Sequence, residues 1–124
     1  MAKWKVKKFI NENGRCPLDK WLESKDITTK DRAAFDAQVD NIERIEDDQL
    51  PPERVKHYQG TNLDEFKVSG DKKKLRPLCV RRGKTIILLA GAIEKGSKIP
   101  KGDIETAENL LVQLINGRGT LDDL

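Results

Sequence analysis

Three stretches rich in aliphatic and β-branched residues, 63–69, 74–81 and 84–92, follow one another closely, with turn signals at Gly70-Asp71 and Arg82-Gly83. Connections this short cannot carry a crossover, so successive strands must run antiparallel, as a meander. Within the middle stretch, Arg76 and Pro77 interrupt the apolar run of Leu75, Leu78 and Val80. Proline has no N–H for a ladder bond, so Pro77 predicts an edge or a bulge there.

The flanking sequence supplies helices. Residues 3–10 alternate as an N-terminal strand, with Trp4, Val6 and either Phe9 or Ile10 inward, and Asn11-Glu12-Asn13-Gly14 turns the chain. Pro17 suits a first helical turn, and Leu18, Trp21 and Leu22 share one face of it. Thr28-x-x-Asp31 reads as a capping box opening a longer helix with an apolar stripe of Phe35, Val39, Ile42 and Ile45. Pro51-Pro52 is expected to stop that helix, leaving Glu46-Asp47-Asp48 solvated at its C-terminal pole. A polar loop spans 53–62. The last helix covers about 103–116, with Ile104, Ala107, Leu111 and Leu114 on one face, Asp103 as N-cap and Gly117 past its end. The expected order is β-α-α-β-β-β-α: an α+β fold with helices on one face of a small curved, mostly antiparallel sheet, the other face free for a ligand. At 124 residues the chain suits one domain (1–124), with about 118–124 a short C-terminal tail.

Several function classes drop out. The longest apolar run, 86–90, is far short of a membrane span, and the lysine-rich start has no apolar region after it, so neither a membrane segment nor a secretory signal is expected. Cys16 and Cys79 lie far apart with no CxxC pair, which fits a reduced, cytoplasmic protein without a zinc site. His57 is the lone histidine, expected at the surface, so no histidine pair serves acid–base or metal chemistry. No phosphate-cradling glycine loop and no G-x-S-x-G elbow occur, and Cys79 reads as a core residue. No metal and no cofactor are expected.

Cationic chemistry is what remains. Net charge is +3, but residues 66–101 hold 11 Lys/Arg against 2 Asp/Glu, while the segments on either side are net negative. Local fields of this kind capture polyanions. The two-residue period places Glu65 and Lys67 opposite Phe66 and Val68. A carboxylate among fixed cations suits metal-free RNA cleavage: one group takes the ribose 2′-OH proton while cations stabilise charge growing on the phosphate. The same residues read equally as a cross-strand salt bridge among Glu65, Lys67 and Arg76.

Leu63-Asp64-Glu65-Phe66-Lys67-Val68 resembles the L-[YWF]-E-[LI]-R-[IV] strand of the RelE/ParE superfamily, in its HigB-like, phage-derived branch. Residues 75–79 resemble the Y-R-[IV]-L-Y strand that follows, and residues 88–100 the L-L-H-G-F-x-K-K-T-x-K-T-P segment. Residues 103–107 resemble x-x-[ED]-I-x-x-A, and residues 17–22 the P-V-x-x-W-L helix. The resemblance implies the toxin of a type II toxin–antitoxin system, a metal-independent mRNA endoribonuclease that acts commonly in the ribosome. Its implied partner is a cognate helix-turn-helix antitoxin. By position it implies catalytic roles for Glu65, Lys67, Arg76 and Lys95 and matches Lys98 to a family lysine; the charge patch adds Lys72, Lys73, Lys74 and Arg81, which with Lys98 are expected to draw RNA to the site. Two alternatives stay open: a catalytically degenerate relative that binds RNA or antitoxin, and a ParE-like toxin directed at gyrase. The chain departs from the pattern at Leu75, Cys79, Ala90, Ala92 and Glu94. Base stacking on an aromatic ring is worth about 1–3 kcal/mol, so the missing rings predict weaker RNA capture.

Overall fold

Alternation and capping decide the elements, and the computed structural model describes residues 3–124. Strand β1 (Lys5–Ile10) leads into a short helix α1 (Pro17–Leu22) with proline in its first turn. Helix α2 (Thr29–Glu43) starts at the expected capping box: Thr28 Oγ1 accepts from Asp31 N–H at 3.1 Å, and the Asp31 carboxylate accepts from Thr28 N–H at 2.9 Å. It ends well before Pro51, so the prolines do not stop it. Glu46-Asp47-Asp48 instead belong to a loop pinned by tertiary bonds, in which Trp4 Nε1 donates to Asp47 O at 2.8 Å and Lys84 pairs with Asp48 at 3.4 Å.

The meander forms, with interruptions. Strand β2 (Val55–His57) occupies what reads as polar loop, then come β3 (Asp64–Phe66) and β4 (Val68–Ser69), split at Lys67. Next are β5 (Lys74–Leu75) and β6 (Leu78–Arg82), split at Arg76-Pro77, and then β7 (Thr85–Ala90). The register between β6 and β7 shifts at Leu78/Cys79, an irregularity beside the proline. Helix α3 (Lys101–Ile115) takes Pro100 rather than Asp103 as its N-cap, and Gly117 follows it at φ +72°. The segment expected as a tail forms strand β8 (Thr120–Asp123).

A six-stranded sheet runs β2-β3-β6-β7-β1-β8, and β4 with β5 makes a separate two-stranded ribbon. Among the described residues only β1 with β7 is parallel. The α+β class and the mostly antiparallel sheet therefore stand.

Helices on one face do not. In β7, Ile86 and Leu88 join the core built with α1 and α2, whereas Ile87 and Leu89 join a second core with Ala107, Leu110, Leu111 and Leu114 of α3. The helices cover both faces. The reason is visible in β7 itself: an unbroken apolar strand must be buried on both sides. The face left free in the sequence reading is largely taken by α3.

Candidate nucleic-acid interface

Lys67 sits at the break between β3 and β4, where one backbone and one side-chain bond take up its main-chain groups. Lys67 N–H donates to Arg54 O at 2.8 Å, and Gln38 Nε2 of α2 donates to Lys67 O at 2.7 Å. Arg76 holds the adjoining ribbon: its Nη1 donates to Leu75 O at 2.9 Å and, on the paired strand, to Val68 O at 3.3 Å. Lys67 and Arg76, with Gln38, Asn41, Glu53 and Ser69, line a cleft of about 370 Å³ against α2.

Arg76 is not offered to solvent. It is 9% exposed, flanked by Glu65 Oε1 at 3.8 Å and Glu94 Oε1 at 3.5 Å from its Nε. Both carboxylates are nearly as buried as the guanidinium, and Nε itself makes no hydrogen bond. Of the pairing expected among Glu65, Lys67 and Arg76, only the Glu65–Arg76 contact forms, and Glu94 joins it.

The lysine turn divides. Lys73 Nζ lies 2.9 Å from Asp31, a fully buried carboxylate, and also donates to Asp26 O at 2.7 Å. Asp31 further accepts from Asp71 N–H at 2.7 Å. Burial pushes the Asp31 carboxyl up, but the N–H groups of Thr28 and Asp71 and the Lys73 ammonium outweigh it and hold it well below the usual range. Lys73 is therefore a structural tie. Lys74 pairs with Glu94 at 3.6 Å, and Lys72 projects from the turn at φ +60° with no ion pair. Arg81, expected to attract RNA, instead bonds Asp64 through Nε at 2.9 Å, and His57 Nδ1 meets the other Asp64 oxygen at 3.2 Å. Cys79 lies in the core, its thiol pushed well up by burial and then by Asp64, which leaves no thiolate for nucleophilic work.

Lys95 and Lys98 bracket an exposed turn through Gly96 (φ +54°) and Ser97 (φ +67°), bonded in both directions: Lys95 N–H to Lys98 O at 2.7 Å and Lys98 N–H to Lys95 O at 3.0 Å. Nearby, burial raises the Asp103 carboxyl while the Lys95 charge opposes it. Among the described residues, Lys67, Lys72, Lys95 and Lys98 carry no ion pair within 4.0 Å.

These cations lie on the part of the chain that comparison with known proteins also singles out. A family model described as "Phage derived protein Gp49-like (DUF891)" matches residues 20–112. The chain belongs to this family. Gp49-like proteins are associated with the toxins of toxin–antitoxin systems, so an antitoxin partner is implied. The matched span runs from α1 into α3 and takes in every candidate residue named above. No curated protein and no solved structure gives a significant match. Among the described residues, no helix of this Gp49-like chain is long and apolar enough to cross a membrane.

Glu94 is the site residue the sequence reading did not assign. Its signal was present, an acid in place of the first lysine of a K-K pair, but only the fold brings it to Arg76.

Proposed function

We propose that this chain is the toxin of a type II toxin–antitoxin system and cleaves mRNA endonucleolytically at the ribosome without a metal. The observation that carries the reading is the group of unneutralised lysines around the buried Glu65–Arg76–Glu94 cluster. Lys95 directly follows Glu94, Lys72 shares the hairpin with Lys74, and Lys67 shares a cleft with Arg76. In the proposed reaction the Glu65 carboxylate accepts the 2′-OH proton, and the 2′-oxygen attacks the adjacent phosphorus. The P–O5′ bond breaks, the 5′-oxygen takes up a proton, and a 2′,3′-cyclic phosphate remains. Lys67, Lys95 and Arg76 stabilise the charge gathering on the phosphoryl oxygens, usually the largest catalytic term.

The test is inducible expression in a bacterium, with and without the neighbouring antitoxin gene, mapping mRNA 5′ ends. New 5′ ends that vanish when the antitoxin gene is co-expressed, with upstream fragments ending in 2′,3′-cyclic or 3′-phosphate, support the proposal. Cleavage that needs added magnesium and leaves 3′-OH ends rejects the mechanism. Growth arrest with DNA breaks and intact mRNA would point to gyrase instead.

A second reading is favoured by Glu94, which neutralises Lys74 and Arg76 together: a degenerate family member that binds RNA or antitoxin without cutting. Retained RNA binding with no new 5′ ends identifies it.

A further inference from the structure

Segment 92–94 runs beside 74–76, in a register that sets one acid against two cations. Arg76 N–H donates to Ala92 O at 2.8 Å, Glu94 N–H donates to Lys74 O at 2.9 Å, and Leu75 bridges Ile93 antiparallel between them. Leu75 and Ile93 turn into the α1/α2 core, so Lys74, Arg76 and Glu94 emerge on the opposite side. The Glu94 carboxylate then splits its oxygens: Oε1 lies 3.5 Å from Arg76 Nε and Oε2 lies 3.6 Å from Lys74 Nζ. Neither distance is that of a good hydrogen bond. The pairing is one of charge, and Arg76 Nε is left buried with its directional donor unused. A guanidinium so placed is matched to a closer acceptor than the one it has.

We propose that Glu94 is a specificity-determining residue: its carboxylate occupies the anion position between Arg76 and Lys74, so that a polyanionic strand displaces it and a lone phosphate does not. The inference rests on the nucleic-acid reading above. A single phosphate merely exchanges one anion for another, and leaves Glu94, 16% exposed, without its cations. A strand gains Lys67, Lys72, Lys95 and Lys98 in the same event, none of which has to give up a carboxylate. A competent state populated at about 1–10% lowers apparent affinity by about 10–100-fold.

The experiment titrates unstructured oligouridine and, separately, inorganic phosphate into the wild type, Glu94→Gln and a charge-matched control, Asp71→Asn. Asp71 is an exposed acid of the same hairpin, so its loss reports the general effect of removing a negative charge. Arginine Nε–H signals in ¹⁵N-labelled protein are followed in parallel. Glu94→Gln should bind oligouridine about 10–100-fold tighter than wild type. It should also let phosphate shift an arginine Nε–H signal that does not move in wild type. A gain no larger than that of Asp71→Asn, in a wild type that binds RNA, overturns the inference and leaves the nucleic-acid reading standing. A wild type that binds phosphate as tightly as Glu94→Gln also overturns it. Absence of RNA binding by both proteins removes the inference and the reading together. Should Glu94→Gln unfold by circular dichroism, Glu94→Asp keeps the charge and shortens its reach; it should also tighten RNA binding, and failure to do so overturns the proposal.

Discussion

Lys73 behaves differently from its neighbours Lys72 and Lys74, because its charge is committed to Asp31. Lys73→Ala leaves a buried carboxylate with two backbone donors and no cation, a loss of about 1–3 kcal/mol. The expected result is a lowered urea midpoint at unchanged slope, whereas Lys72→Ala should leave the midpoint alone and weaken only salt-sensitive RNA association. Asp31 also predicts a pH effect. Its carboxyl is held below the ordinary value in the folded state, so its stabilisation is full above about pH 4 and is lost as pH falls further. Denaturation midpoints should drop as pH falls below about 4 in wild type and drop less in Asp31→Asn. Half of this was legible in the chain: Thr28-x-x-Asp31 announces a cap. The other half was not, since Asp71 lies 40 residues away and only the fold brings its N–H to Asp31. Arg76 illustrates the same limit, because an arginine in a strand reads alike whether it faces solvent or, as here, two buried acids.

Where elements meet, one glycine carries a heavy constraint. A Cβ on Gly91 would stand 1.8 Å from Trp21 Cδ2, in the ring that α1 lays across the end of β7. Gly91→Ala must push α1 off the sheet, an overpacking loss of about 1–3 kcal/mol that calorimetry should show as a lower melting temperature. Trp21 emission should shift to the red as the indole is lifted into water. The helices were readable from stripes and caps: α1 and α3 lie close to their expected spans, and α2 starts at its expected cap but ends short of Pro51. The strands were readable only as a meander; β2 and β8 lie at the sheet edges and hold one apolar residue each among three or four, too few for a periodicity. Their pairing is supplied by neighbours, Val55 against Phe66 and Leu121 against Phe9.

Taken whole, the molecule places Lys67, Lys72, Lys95 and Lys98 at a strand break and in two turns, outside a sheet covered by helices on both faces. If about 4 phosphates meet those lysines, log K for single-stranded RNA should fall with log salt at a slope of roughly −3, and a slope near zero would remove the polyanion reading. The largest error at this scale was the assignment of a bare sheet face. The signal against it is the unbroken apolar run of β7 from Ile86 to Ala90, masked by the alternating patterns of its neighbours. The placement of β1 has a further consequence, for synthesis. Its residues wait for partners at Thr85 and beyond and at Asp123, so the first strand made is among the last to be satisfied. At about 5–20 residues per second, the 80 residues between Lys5 and Thr85 take roughly 4–16 s to emerge. Over that interval β1 is a nascent strand with two open edges, the form of chain most prone to pair with a stranger. Lys5, Lys7 and Lys8 place charge along it, and thereby act as gatekeepers during translation before any of them holds a partner in the finished sheet.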